Sequence, residues 1–355
     1  MQILLEELYK ADIHLEKYYD RKLFIEKEKS YSISGITHSG KTKLVKNYLL
    51  SLKKNDYLYI DCKDVRLEYD LLNSSLKDFC ITNKIKTLVL DNYTPEVAIV
   101  NVAQLILISQ IPLEYEFLET LQLYPLDYEE FLAYEQKYDA SLNHFFQLGG
   151  LPIMHKIVQE NRVLFIQNIV RCSLSDMEFD ILQSCAKMLS LKVSAFTLYE
   201  RLKQVRKISK DKLYRSFDSL LLKNYIHTLE KFNHKKATKK IYLADIAFKS
   251  ALTTDKHFGR LFENMIFLEL LKSGEVCYYD DGVDFYLPQK NEIILGMAFH
   301  DERTLFKKLE TIEAFIFSYQ VTKITAVTMS KESSLSHPIA KVEMVPFDIW
   351  TLGDE

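Results

Sequence analysis

Residues Gly35-Ile36-Thr37-His38-Ser39-Gly40-Lys41-Thr42 carry the spacing G-x-x-x-x-G-K-[ST]. That spacing suits one chemistry, the cradling of a polyphosphate. The glycines let the backbone turn tightly and approach the anion, so amide N–H groups form the cradle. Lys41 is expected to reach the β- and γ-phosphates, and the Thr42 hydroxyl to ligate Mg²⁺. So short a pattern needs its context. Tyr31-Ser32-Ile33-Ser34 in front alternates as a short strand, and Lys43 to Leu52 behind is a helix-forming run. Strand, loop and helix are all present, and ATP with Mg²⁺ is the implied ligand pair.

A second element completes the chemistry. Leu88-Val89-Leu90-Asp91 is an apolar strand ending in a carboxylate, suited to hold Mg²⁺ opposite Thr42. ATPases of the AAA+ type usually place a glutamate after that aspartate as general base, and here the residue is Asn92. An amide orients a water but does not take its proton, so roughly 10²–10⁴-fold of rate is expected to be missing. On these grounds hydrolysis is slow, and Asn92→Glu should raise it. Ser109 closes the next strand in a sensor-like place near the γ-phosphate. Arg162 and Arg171 are available by position as arginine fingers but read as surface residues. No Asn-Lys-x-Asp guanine-reading motif occurs, and Glu114–Lys137 holds no lid arginine of the small-molecule kinase kind. ATP is therefore preferred to GTP, and nucleotide binding to small-molecule phosphorylation.

The elements that must position these residues follow from the pattern. Strand-like runs at Tyr31–Ser34, Tyr57–Asp61, Thr87–Asp91 and Leu105–Ser109 are separated by segments long enough for crossover helices. That alternation predicts an α/β fold with a mostly parallel sheet, its ligand beyond the carboxyl ends of the strands. Asp127 to Glu160 reads as a helical lid broken at Gly149-Gly150-Leu151-Pro152. Short amphipathic helices fill Val163 to Leu229. A lysine-rich tip at Asn233–Lys240 then leads into a strand at Tyr242–Asp245, the order of a winged helix. The last hundred residues alternate again: a helix at Leu261–Leu271, strands at Val276–Tyr279, Val283–Leu287 and Ile293–Met297, a helix at Glu302–Phe317 and a strand at Ile324–Met329.

Composition narrows the classes. The 355 residues exceed one ordinary core, so two or three domains are expected. Five cysteines with no C-x-x-C pair exclude a disulfide framework and a zinc ribbon, and fit a reducing compartment. Met1–Tyr9 has no basic n-region, and the longest apolar stretch, Ile99–Leu113, is interrupted by Asn101, Gln104 and Gln110. A cytoplasmic protein with no membrane partner is expected. The net charge of −3 is unevenly placed. Residues 114–139 hold eight acids and one lysine, while residues 200–240 hold thirteen basic residues and four acids. The basic run, falling on the winged-helix segment, has the footprint of a DNA contact.

Several segments together resemble a family. Leu123-Tyr124-Pro125-Leu126-Asp127-Tyr128-Glu129-Glu130-Phe131 and Gly149-Gly150-Leu151-Pro152 follow the phosphate loop and Asp91. Lys240-Ile241-Tyr242-Leu243-Ala244-Asp245, Phe262-Glu263-Asn264 and Val283-Asp284-Phe285 come later. The order resembles bacterial and archaeal AAA+-like ATPases whose C-terminal part is the domain called DUF4143. The resemblance implies an ATPase domain over 1–165 with its lid at about 126–165, a winged helix over 166–254, and a C-terminal α/β domain over 255–355. That last domain would be similar to restriction-endonuclease-like nucleases.

The chain departs from the family at Asn92, at Ile108-Ser109 where a Gly-Ser pair is usual, and at Leu118–Gln122, which lacks the customary arginine. Nucleases of the C-terminal fold hold a metal on an aspartate and a Glu-x-Lys. Asp284 and Glu263 match in part, but Glu292–Ala298 contains no Glu-x-Lys, so cleavage is not expected. The sequence thus points to an ATP-binding switch of the AAA+ class that contacts DNA or a DNA-bound partner. The alternative is a nucleotide-binding regulatory or scaffold module with protein partners only, a second copy of the chain among them.

Overall fold

A run such as Leu88-Val89-Leu90 can be buried on both sides only if helices cover both faces of its sheet. The computed structural model, which describes residues 1–15, 20–135 and 142–353, has this arrangement around the phosphate loop. The described chain divides into two compact units, Met1–Pro125 and the remainder from Leu126, apart from Leu222–Asn224, which group with the first.

The first unit runs α1 (Gln2–Lys10), β1 (Tyr31–Ser34), α2 (Lys41–Leu50), β2 (Tyr57–Asp61), α3 (Tyr69–Thr82), β3 (Thr87–Asp91), β4 (Gln104–Ile108) and β5 (Glu119–Gln122). All five strands are parallel, in the order β2-β3-β4-β1-β5. Alternate residues feed two cores. Leu58, Ile60, Leu88, Leu90, Leu105 and Leu107 pack with Leu5 of α1 and with Leu72, Leu76 and Phe79 of α3. Ile33, Val89, Ile106 and Ile108 pack with Leu44, Val45 and Leu49 of α2. The parallel sheet expected from the sequence is present, with the fourth strand one residue earlier than expected. β5 is an addition: among the described residues it pairs only with β1, and its polar Glu-Thr-Leu-Gln gives no apolar signal.

The second unit opens with α4 (Tyr128–Glu135), α5 (Leu142–Leu148) and a 3₁₀ turn at Pro152–Lys156. Residues 136–141 of the helical stretch read from the sequence lie outside the described residues. Next come α6 (Arg162–Ser173), α7 (Asp176–Lys187), α8 (Ala195–Lys203) and α9 (Lys210–Leu222), then an antiparallel pair, β6 (Ile226–Leu229) and β7 (Lys240–Leu243). α10 (Ala247–Leu252) and α11 (Phe258–Lys272) lead to β8 (Tyr278–Asp280), β9 (Val283–Leu287), β10 (Glu292–Gly296), α12 (Glu302–Tyr319), β11 (Lys323–Thr328), β12 (Ser333–Leu335), β13 (Lys341–Pro346) and α13 (Phe347–Leu352). Strands β8 to β13 form one mixed sheet in the order β12-β13-β11-β10-β9-β8. Leu305, Leu309, Ile312 and Ile316 of α12 pack on it.

Two of the sequence segments meet inside this unit. Gly149 has φ of +70°, and a Cβ there would stand 2.0 Å from Asp245 Oδ1, so only glycine fits. Asp245 Oδ2 accepts from the Gly150 amide at 2.7 Å, and its Oδ1 from the Ala247 amide at 2.8 Å. Burial raises the Asp245 carboxyl to about 6, against the pull of these amides. The Gly-Gly-Leu-Pro turn and the Ala-Asp turn after β7 are thus two halves of one buried lock. No helix among the described residues is long and apolar enough to cross a membrane.

Candidate nucleotide site

The loop after β1 has the backbone its glycines foretell. Gly35 has φ of +151°, and a Cβ there would come 2.2 Å from the Leu123 carbonyl oxygen. His38 and Gly40 take φ of +66° and +103°, and the Ser39 amide closes a turn on the Ile36 carbonyl at 3.2 Å. Gly40 then caps α2 without any side-chain hydrogen bond, and no acidic residue lies in the first turn. The amides of that turn are left for an external acceptor, at the end of the helix that favours negative charge.

The side chains fit an anion as well. Lys41 Nζ donates to the carbonyls of Gly35 and Ile36 at 2.7 and 2.9 Å. It has no carboxylate in ion-pair range among the described residues, and burial lowers its pKa to about 8 despite the pull of Asp91. Ser39 Oγ is fully buried and has no hydrogen-bond partner among the described residues. A partly buried ammonium and an orphaned hydroxyl in one loop match what a phosphate would supply. His38 is lowered by burial and then by the Lys41 charge, so it adds no cation.

Asp91 is drawn to this loop. Thr42 Oγ1 donates to Asp91 Oδ2 at 2.6 Å, and the Tyr59 hydroxyl donates to the same oxygen at 2.7 Å. The Asn92 amide N–H closes on Asp91 Oδ1 at 2.8 Å. A hydroxyl and a carboxylate in contact are the pair that Mg²⁺ would bridge, directly or through its water shell. The Asn92 side chain turns elsewhere, donating from Nδ2 to Asp61 Oδ1 at 2.9 Å.

Ser109 is less suited than its position suggests, because its hydroxyl donates to the Ile111 carbonyl two residues on. The side chain that reaches the loop is its neighbour Gln110, whose Nε2 lies 3.0 Å from Thr37 Oγ1. Arg162 and Arg171 are engaged within their own unit, Nε of the first on the Ile157 carbonyl and the second over the Phe179 ring.

Sequence reasoning missed three groups here. Arg21 donates to the Ser39 carbonyl at 3.0 Å and to the Tyr124 carbonyl at 2.8 Å. It therefore places a guanidinium just ahead of Pro125, where the chain lacks a local arginine. Gln110 and Asp61 are the others. Asp61 alone left a trace in the sequence, as a second apolar strand ending in an acid.

The C-terminal carboxylates have different company. Glu263 Oε1 accepts from Lys240 Nζ and the Tyr242 hydroxyl, both at 2.8 Å. Burial raises its pKa, with Lys240 opposing. Asp284 Oδ2 accepts from Lys308 Nζ at 2.7 Å and from the Gly296 amide at 3.0 Å. Each carboxylate is thus engaged by a lysine ammonium. Among the described residues no group of three or more His, Cys, Asp or Glu side chains is arranged to hold a metal ion.

No family model matches the sequence. The chain is 23% identical over 395 aligned residues to the uncharacterized protein MJ1544 of Methanocaldococcus jannaschii, covering 90% of this chain and 87% of that one. Among solved structures, the Aeropyrum pernix ORC1 protein in complex with DNA aligns over 66% of this chain and 89% of its own. The identity is 13% and the TM-score 0.29.

Proposed function

We propose that the chain binds ATP with Mg²⁺ on Gly35–Thr42 and Asp91 and works as a nucleotide switch of the AAA+ class. The observation that carries this reading is the Lys41 ammonium, partly buried on two backbone carbonyls with no neutralising carboxylate among the described residues. A partly buried cation with no counter-charge is costly and is retained where an anion completes it. The open first turn of α2 and the orphaned Ser39 hydroxyl support the same ligand. Thr42 and Asp91 would hold the metal, which when bound neutralises charge on the β- and γ-oxygens. Asn92 itself accepts no proton, so any turnover draws its base from another residue.

In this reading residues 1–165 are the ATPase part with a lid at 126–165, 166–254 a winged helix, and 255–355 a nuclease-like domain that does not cleave. The basic stretch over 200–240 contacts DNA or a DNA-bound partner. Support comes from α8 and α9, where Lys210 lies 5.6 Å from the half-exposed Phe196 ring and Lys203 lies 5.4 Å from Tyr199. Lysines beside open aromatic rings suit phosphates and bases together.

One observation favours the alternative of protein partners only. Arg206, Lys231 and Lys239 pair with Asp180, Asp281 and Glu230 at 2.6 Å, and Lys240 with Glu263 at 2.8 Å, so part of the positive excess is met internally. The test is equilibrium binding of a fluorescent ATP analogue to wild type and Lys41→Ala, followed by DNA retention across a salt series. Loss of analogue binding in the variant supports the site. Equal binding in both overturns it. Retention that falls steeply with salt supports the DNA contact, and no retention at low salt leaves the protein-partner reading.

A further inference from the structure

The acid missing after Asp91 has a counterpart one strand away. β2 and β3 run parallel with Asp61 paired to Asp91, so two carboxylates leave the sheet side by side, their backbones roughly 4.8 Å apart. Their surroundings differ. Asp91 is buried, and both its oxygens are engaged, by Thr42, Tyr59 and the Asn92 amide. Asp61 is half-buried, and both its hydrogen bonds fall on Oδ1, from Asn92 Nδ2 at 2.9 Å and the Lys63 amide at 3.0 Å. Its Oδ2 has no protein partner among the described residues. Asn92 holds φ of +52°, a left-handed turn that asparagine tolerates, and from it the side chain reaches Asp61.

We infer that Asp61 is the carboxylate that takes the proton of the attacking water, with Asn92 as its positioning residue. The inference rests on the ATP-binding reading above. A carboxylate fixed through one oxygen, with the other open beside the metal-binding acid, is the arrangement a general base requires. The water oxygen forms its bond to the γ-phosphorus as the bond from that phosphorus to the β–γ bridging oxygen breaks. The electron pair leaves on the diphosphate, and the water proton passes to Asp61 Oδ2. The acid is transposed from the position after Asp91 to the end of the neighbouring strand.

The experiment compares full-length wild type, Asp61→Asn and Asn92→Ala in three measurements: ATP turnover, affinity for Mg-ATP, and calorimetric affinity for ADP with aluminium fluoride. Asp61→Asn keeps the shape and an acceptor for Asn92, so the fold is preserved. The expected result is a fall in turnover of at least about 10²-fold with Mg-ATP affinity within about threefold. Binding of the fluoride complex, which needs the oriented water, weakens in Asp61→Asn and more mildly in Asn92→Ala. Unchanged turnover in Asp61→Asn overturns the inference. So does a collapse of Mg-ATP affinity in that variant, which would make Asp61 a metal ligand. Wild type that binds ATP without turnover also overturns it, while sparing the nucleotide site. Wild type that binds no ATP fails the underlying reading instead.

Discussion

Lys41 Nζ lies 2.7 Å from the carbonyl oxygen of Gly35, six residues back in the same loop, and the loop thereby holds its own cation in place before any phosphate arrives. Burial lowers the ammonium from 10.5 to about 8. The folded state therefore penalises the charged form. The penalty is full below pH 8, fades as pH rises toward 10.5, and amounts to about 3 kcal/mol by the pKa difference. In nucleotide-free, metal-free protein, Lys41→Ala is expected to be the more stable form at pH 7, by roughly 1–3 kcal/mol. The gap should close on approaching pH 10. Urea unfolding of both proteins at pH 7, 8.5 and 10 checks this. A variant less stable than wild type at pH 7 would mean that the two carbonyl bonds outweigh burial.

Arg21 joins the Ser39 carbonyl to the Tyr124 carbonyl, bracing the phosphate loop from the N-terminal lead-in. Charge-assisted bonds of this kind contribute about 1.5–3 kcal/mol each to the arrangement they hold. Arg21→Ala should therefore weaken triphosphate binding by roughly tenfold, about 1.4 kcal/mol. Titration with a fluorescent ATP analogue measures it. Affinity equal to wild type would reduce Arg21 to a tether of the lead-in alone.

Which parts of this site were legible in the sequence follows from how local they are. Gly35 to Thr42 are contiguous, and Asp91 ends a continuous apolar strand, so pattern alone finds both. β5 escaped because an edge strand pairs on one side and needs no apolar run; Glu119 and Thr120 are exposed. Arg21 escaped because its partner Tyr124 is 103 residues away. Gln110 was passed over for Ser109, since the sequence does not tell which of two adjacent polar side chains turns toward the loop. The Gly149–Asp245 lock is likewise invisible until β7 brings Asp245 under the turn.

The C-terminal unit shows the same limit. A Glu-x-Lys pattern is sought on one strand, but here the lysine beside Asp284 is Lys308, carried by α12. Asp284 and Lys308 form a partly buried ion pair, with side chains 17% and 26% exposed. Asp284→Ala is therefore expected to cost about 1–3 kcal/mol of stability, since it strands an ammonium and the Gly296 amide. It should change no Mg²⁺-dependent cleavage, because wild type is expected to cut neither single- nor double-stranded DNA. Thermal unfolding and a gel assay with radiolabelled DNA test both halves. Metal-dependent cleavage lost in Asp284→Ala would make this domain a nuclease.

Asn92→Glu reads from the sequence as the repair of a missing base, yet the structure argues against it. Asn92 takes φ of +52°, where a residue without an asparagine-like side chain costs about 1–2 kcal/mol. The substitution also removes the donor that holds Asp61 Oδ1. In its place stands a third carboxylate next to Asp61 and Asp91, and like charges at that spacing repel. Asn92→Glu should accordingly lower stability by about 1–3 kcal/mol and leave turnover at or below wild type. Asn92→Asp tolerates the same backbone, so it separates the backbone cost from the rest: it keeps the conformation while losing the donor and adding the charge. Steady-state hydrolysis and urea unfolding of the pair decide between them. Turnover raised tenfold or more in Asn92→Glu would show that the position after Asp91, and not Asp61, is where this site lacks its acid.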